Sequence, residues 1–167
     1  MTARSSDIVI IGAGYIGLEV AAVTRQLGHD VSVVEMADRV MSRVVCPAVS
    51  DFYRAEHEAH GVNLQLSTTL EGFEGESRVE AVRTNGGRSI PADIVVAGVG
   101  VVPNTELAAA AGLAVDDGIV VDSRCRTADD AIYAVGDCTS HPNGIYGRRV
   151  RLESVHNALE QAKTAAS

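Results

Sequence analysis

The sequence predicts an α/β fold of three layers, with a parallel sheet between helices and a small antiparallel meander. Three observations predict it. Short β-branched runs end in glycine, as buried parallel strands do. The first, Asp7-Ile-Val-Ile-Ile11, passes through Gly12-Ala-Gly-Tyr-Ile-Gly17 into a helical pattern and a second strand, within the roughly thirty residues of one βαβ unit. Aromatics are scarce, with four Tyr, two Phe and no Trp, so Ala, Val and 16 Gly carry the packing, which suits helices lying close on a sheet.

The elements follow in order. Asp7–Ile11 is the first strand. Leu18–Leu27 is a helix, with Ile16, Val20, Val23 and Leu27 at helical spacing and Gly28 as its stop. Val31–Val34 is the second strand, closed by Glu35. A connection leads to a helix from about Pro47 to His60, with proline tolerated at the first helical position and Gly61 at the end. Val62–Leu66 alternates as a strand. Leu70–Ile90 carries several glycines, the alternating run Val79–Thr84 and the turn signal Asn85-Gly-Gly87, which mark an antiparallel meander. Asp93–Ala97 reads as another buried strand, running into Gly98 and Gly100. Beyond Pro103, Leu107–Ala111 is a short helix, and Ile119–Val121 and Ile132–Val135 are strands. Ser154–Ala166 is a helix with Val155, Leu159, Ala162 and Ala166 at helical spacing. Asp116-Asp117 and Asp129-Asp130 read as turns.

The chain has 167 residues, with 14 Lys+Arg against 22 Asp+Glu and a net charge of −8. That length fits one domain, or one plus part of another. A hydrophobic share of 46% argues against disorder, and the acidic balance leaves no broad basic surface for nucleic acid. No apolar run approaches the ~20 residues that span a bilayer. The polar run Met1–Asp7 lacks the apolar stretch of a secretion signal. Cys46, Cys125 and Cys138 are odd in number, far apart and never spaced C-x-x-C. They predict a reduced, cytoplasmic chain whose thiols pack as small hydrophobes.

Gly12-x-Gly14-x-x-Gly17 between a strand and a helix is the setting of a Rossmann-like dinucleotide turn. Gly12 allows the tight turn, Gly14 lets a pyrophosphate approach the backbone, and Gly17 lets the helix pack close. The helix N-terminus offers free N–H groups and a partial positive charge. Glu35 ends the second strand eighteen residues after Gly17. A carboxylate there accepts hydrogen bonds from the adenosine ribose hydroxyls and repels a 2′-phosphate, which favours NAD(H). Arg39 and Arg43, just downstream, leave NADP open on this reading. Gly98-Val-Gly100 also follows a strand, and either faces the same crevice or is a plain turn into a crossover. His57 and His60 stand i, i+3 beside Glu56 and Glu58, but no further ligand lies at metal spacing. They read as a solvated helix face, and no metal site is expected.

Three phrases stand in register: Ile10-Ile-Gly-Ala-Gly-Tyr-Ile-Gly-Leu-Glu19, Asp93-Ile-Val-Val-Ala-Gly-Val-Gly100 with Pro103-Asn104, and Thr127-Ala-Asp-Asp-Ala-Ile-Tyr-Ala-Val-Gly-Asp-Cys138. Together they make the chain resemble the FAD-dependent pyridine nucleotide oxidoreductases. Arg151-Leu-Glu-Ser-Val-His-Asn-Ala158, with Gln161-Ala162, is similar to the ferredoxin reductase branch that feeds cytochrome P450 and ring-hydroxylating oxygenase systems. The resemblance implies an NAD-binding domain at 1–115 and a partial FAD-binding segment at 116–167. It implies that Gly12, Gly14, Tyr15, Ile16 and Gly17 line the NAD pyrophosphate, and that Glu35 holds the adenosine ribose with Arg43 nearby. Gly98 and Gly100 would border the nicotinamide.

Glu19 matches the family's glutamate close to the nicotinamide–flavin junction, and Glu153 is a further candidate beside the nicotinamide. These two are the catalytic candidates. Asp137 matches the aspartate that hydrogen-bonds the FAD ribityl chain, and Val155 sits where the backbone approaches the flavin ring. The implied activity passes a hydride from NADH to FAD and electrons on to a [2Fe–2S] ferredoxin. Arg148, Arg149 and Arg151 would form a basic cluster facing an acidic partner, or a solvated basic strand. The family pattern places a glycine-rich βαβ unit for FAD ahead of Asp7. Its absence from the sequence predicts an excised middle that is not competent alone. Apolar surface at 119–135 and 152–166 would then favour self-association. The alternative is a standalone dinucleotide-binding or assembly module without catalysis.

Overall fold

In the computed structural model, which describes residues 5–167, the first elements are β1 (Asp7–Ile11), α1 (Tyr15–Gln26) and β2 (Asp30–Val34). Residues 1–4 of the polar N-terminal run lie outside the described residues. There follow α2 (Pro47–Ala59), β3 (Asn63–Gln65), β4 (Leu70–Glu74), β5 (Ala81–Thr84), β6 (Arg88–Pro91) and β7 (Ile94–Ala97). These elements lie in one compact unit, Met1–Gly100. The second unit, Val101–Ser167, begins ahead of residue 115, where the sequence alone draws the boundary, and so includes α3 (Glu106–Ala110).

In the first unit β1 pairs in parallel with both β2 and β7, and β2 with β3, giving the order β3-β2-β1-β7. Side chains alternate across a strand, so β1 serves two cores. Ile8 and Ile10 pack with Leu18 and Ala21 of α1 and with Val31 and Val33. Val9 and Ile11 pack on the other face with Val34, Val82 of β5 and Ala92. β4, β5 and β6 form the antiparallel meander on that second face. Gly86 and Gly87 take positive φ in its Asn85-Gly-Gly87 turn, as that short connection requires. The helix layer, the parallel sheet and the meander thus answer the predicted three layers.

Two details differ from the sequence reading. α1 begins at Tyr15 rather than Leu18, and its buried residues are Gly17, Leu18 and Ala21. Ile16, Val23 and Leu27, read as the apolar stripe, are 61%, 56% and 69% exposed. The glycine contact sets the helix phase: only a residue without Cβ fits against the Gly12 carbonyl, so position 17 faces the turn and the stripe rotates outward. β7 is not a buried strand either. It lies at the sheet edge, and Ile94 is 48% exposed.

In the second unit β8 (Ile119–Val120) pairs in parallel with β9 (Thr139–Asn143), which pairs antiparallel with β10 (Arg148–Val150). A 3-10 turn, Gly136–Cys138, leads into β9, and α4 (Val155–Ala165) closes the unit. The predicted strand at Ile132–Val135 is absent. Thr127 Oγ1 donates toward the carbonyls of Asp129 and Ile132, and Ala131 N–H donates to Asp129 Oδ1 at 2.9 Å. These local bonds fold 127–132 into a tight turn and leave one bridge, Arg126 to Tyr133. The stripe on α4 is also displaced: Val155 and Leu159 are 74% and 55% exposed, while the polar Gln161 is buried. Of the cysteines, Cys125 alone is fully buried; Cys46 is exposed at the N-cap of α2, and Cys138 is half-buried.

Candidate functional site

The first unit gathers its predicted residues at the carboxyl end of β1. Gly12 N–H donates to Val34 O, tying the turn to β2, and Gly98 N–H donates to Ile11 O, tying the turn after β7 to β1, both at 2.8 Å. Gly12 has φ +100°, and a Cβ placed on it would lie 2.5 Å from Gly98 O. A Cβ on Gly17 would overlap the Gly12 carbonyl oxygen. The two glycine turns therefore meet backbone to backbone: a methyl group on Gly12 would force them apart, and one on Gly17 would push α1 off the first turn. Gly14 differs in kind: a Cβ there would meet nothing within 4 Å. The space in front of Gly14 is open for a ligand to approach the main chain.

Gly14 is also the N-cap of α1, and no side chain caps that helix among the described residues. The first-turn N–H groups have no i−4 carbonyl to bond, so they face outward with the positive end of the helix dipole. Tyr15 and Ile16 stand exposed on this turn at 56% and 61%. Glu19 is exposed one turn further on and makes no hydrogen bond or ion pair among the described residues.

Glu35 sits half-buried beside this turn. Ala13 N–H donates to its Oε2 at 2.7 Å and Ala37 N–H to its Oε1 at 2.8 Å. Sequence reasoning assigned the carboxylate to a ribose alone, and the structure adds a brace on the peptide between Gly12 and Gly14. Each oxygen keeps a second lone pair, so holding the turn and accepting ribose hydroxyls are compatible. Met41 N–H donates to Ala13 O at 2.8 Å, so Ala13 is held from both sides. No sequence signal marks Ala13 or Met41, because both act through the backbone.

The arginines separate clearly. Arg39 Nη1 donates to Val45 O at 2.9 Å and to Ser50 Oγ at 2.8 Å, and its Nη2 donates to Ser42 O at 2.6 Å. These bonds tie its guanidinium to the loop ahead of α2 and to Ser50 in the first turn of that helix. Arg43 is exposed, with Nη2 3.7 Å from the Cβ position of Gly100. It belongs to the same cluster as the glycines. His57 and His60 stand apart on α2, where burial and the neighbouring His60 hold the His57 imidazole below its ordinary value.

In the second unit Asp137, Glu153, Ser154, Val155 and Ala158 line one open groove of about 530 Å³. Three of them, Asp137, Glu153 and Val155, are residues predicted from sequence. Ser154 Oγ accepts Asn157 N–H at 3.2 Å and caps α4. Glu153 is anchored by Arg151, whose Nη1 donates to Glu153 Oε1 at 2.5 Å and whose Nε donates to Asp117 Oδ1 at 3.1 Å. Arg149 turns inward, donating to the carbonyls of Val121 and Ser140. The expected basic cluster is thus dispersed: Arg149 satisfies buried backbone, Arg151 neutralises two carboxylates, and Arg148 alone is left exposed.

Comparisons with known proteins bear on the family and the fold. The family profile described as pyridine nucleotide-disulphide oxidoreductase matches residues 2–162. Rhodocoxin reductase from Rhodococcus erythropolis is 49% identical over 166 residues, covering 99% of this chain and 39% of that protein. Rubredoxin-NAD(+) reductase from Pseudomonas putida is 44% identical over 165 residues, covering 98% of this chain and 43% of that protein. Among solved structures, the covalent putidaredoxin reductase–putidaredoxin complex matches with a TM-score of 0.95 and 46% identity, over 99% of this chain and 40% of that one. The chain spans about two fifths of the length of the relatives it matches.

Proposed function

The chain belongs to the pyridine nucleotide-disulphide oxidoreductase family, and on that premise we propose that it is the NAD(H)-binding portion of a flavoprotein reductase, with a segment of the FAD-binding domain. One observation carries the reading: an uncapped helix N-terminus opens onto the free space at Gly14, beside the braced carboxylate of Glu35. In this reading the first-turn amides hold the pyrophosphate, Glu35 holds the adenosine ribose with Arg43 nearby, and Gly98 and Gly100 border the nicotinamide. Glu19 in the first unit and Glu153 in the second stand as the catalytic acidic candidates, each within its own unit. Asp137 and Val155 form one wall of the flavin site, in the groove they share. When bound, nicotinamide and flavin supply the hydride and electron chemistry, and the protein supplies orientation and electrostatics.

The names of the relatives support a small redox protein as electron acceptor, and we assign a [2Fe–2S] ferredoxin. Free thiols at Cys46, Cys125 and Cys138 suit a cytoplasmic setting. No helix among the described residues is long and apolar enough to cross a membrane. Exposed Tyr133, Leu152, Val155 and Leu159 favour self-association of this chain.

Calorimetric titration with NADH, NADPH and FAD in turn tests the proposal. NADH should bind at least about tenfold more tightly than NADPH, a difference of about 1.4 kcal/mol. FAD should bind weakly, and the chain should not reduce a dye with NADH. A preference for NADPH, or a yellow chain that turns over with NADH, overturns the reading.

A further inference from the structure

Gln161 lies on the inner face of α4, 7% exposed, and its side-chain amide is fixed from two sides. The buried Gly136 N–H donates to Gln161 Oε1 at 2.7 Å. A backbone N–H is a donor at every pH, so this contact fixes the oxygen toward Gly136 and turns Nε2 toward His141, 3.0 Å from Nδ1. An amide nitrogen only donates. Nδ1 must therefore accept, and His141 carries its ring proton on Nε2. Thr139 Oγ1, fully buried, lies 2.8 Å from Gly136 O and 3.0 Å from Gln161 Oε1. Gly136 has φ +82°, a conformation that residues with a Cβ rarely adopt, and its Cβ position lies in ordinary contact with the Ala158 methyl of α4, 3.5 Å away.

We propose that His141 and Gln161 form a proton-sensitive clamp on the Gly136–Cys138 turn, which positions Asp137 and closes only while His141 Nδ1 carries no proton. Protonation sets an N–H against an NH₂ group. Either Gln161 turns its oxygen to the imidazolium and abandons the Gly136 N–H, or α4 draws back from β9. Each course leaves a buried donor without an acceptor. Among the described residues, the charged group acting on His141 is Arg149 on β10, while α4 presents the neutral Gln161. Burial first, and then that guanidinium, hold the imidazole below its ordinary value. The opened state takes up its proton at the ordinary value, near ~6.5, and the closed state at a lower pH. The clamp is therefore at full strength above ~6.5 and is lost as the pH falls from there toward the folded value.

The role toward flavin rests on the reading of Asp137 above, whereas the clamp does not. The test follows Gly136 amide exchange and the His141 ring-nitrogen shifts in the ¹⁵N-labelled chain. At pH 7.5 the ring should show the Nε2–H tautomer. Protection of Gly136, corrected for intrinsic exchange, should fall, by up to about tenfold, between pH ~7.5 and ~5.5. His141→Gln offers an uncharged acceptor at every pH, so its protection should stay flat. Gln161→Glu offers a second oxygen to the imidazolium, so it should raise the His141 pKa and reverse the trend. An Nδ1–H tautomer at pH 7.5, constant wild-type protection, or a decline in His141→Gln as steep as in wild type overturns the clamp. If Gln161→Glu does not fold, the wild type and His141→Gln decide. A clamp that opens with acid while weak flavin affinity stays constant removes the role of Asp137 and leaves the clamp standing.

Discussion

Gly17→Ala is expected to lower NADH affinity about a hundredfold or more, and to destabilise the first unit by about 3 kcal/mol. The new methyl would overlap the Gly12 carbonyl oxygen, which is main chain and has no side-chain rotamer with which to yield. α1 must move away from the turn, carrying its first-turn amides out of line with the space before Gly14. Losing two charge-assisted hydrogen bonds to a pyrophosphate, at about 1.5 kcal/mol each, gives the expected fall in affinity. Gly86→Ala is the control. Gly86, unlike Gly17, has positive φ, and it lies in the meander turn with nothing within 4 Å of its Cβ position. It should cost about 1 kcal/mol in backbone strain and leave NADH binding unchanged. Urea unfolding and NADH titration of both variants distinguish loss of the turn from a general loss of stability.

Glu35→Ala is expected to shift coenzyme preference toward NADPH by at least about tenfold. The carboxylate accepts from Ala13 N–H and Ala37 N–H, so its removal loosens the glycine turn and also removes the ribose acceptor. NADH should lose both contributions, roughly thirtyfold or more in affinity, whereas NADPH loses the brace but also escapes repulsion of its 2′-phosphate. Arg39 is bonded to Val45, Ser50 and Ser42 while Arg43 is exposed, so any attraction of the 2′-phosphate by an arginine, beyond the lost repulsion, is expected from Arg43. Stability should fall by about 2 kcal/mol, since two charge-assisted bonds to backbone disappear from a half-buried site. Parallel titrations with the two coenzymes check the ratio, and an unchanged ratio would refute the selectivity role.

Much of this was legible in the residues. The strand–glycine–helix order, the meander turn at Asn85-Gly-Gly87 and Glu35 at the end of β2 depend on local chemistry: conformational freedom at glycine, alternation in strands, and an acid at a strand end. What the sequence hid depends on contacts between distant residues. The outward rotation of Ile16, Val23 and Leu27 follows from the close approach of Gly17 to Gly12, which periodicity alone does not register. The stretch Ile132–Val135 has strand composition, yet the side-chain bonds of Thr127 and Asp129 to nearby backbone groups win over a ladder. Three arginines close in sequence read as a basic cluster or a solvated strand, but Arg149 bonds the carbonyls of Val121 and Ser140, and Arg151 pairs with the distant Asp117 and the nearby Glu153. Gln161 lies outside the apolar spacing read for α4 and is the buried acceptor for Gly136 N–H.

The proposed NAD(H) site places a diphosphate against the main chain between β1 and α1. The most direct measurement is a ¹H–¹⁵N spectrum of the labelled chain during titration with NADH. The largest shifts should fall on the amides of Ala13, Gly14, Tyr15, Ile16 and Gly17, with smaller ones at Glu35, Gly98 and Gly100. Saturation with NADH that leaves those amides unmoved, or that moves only residues of the second unit, would contradict it.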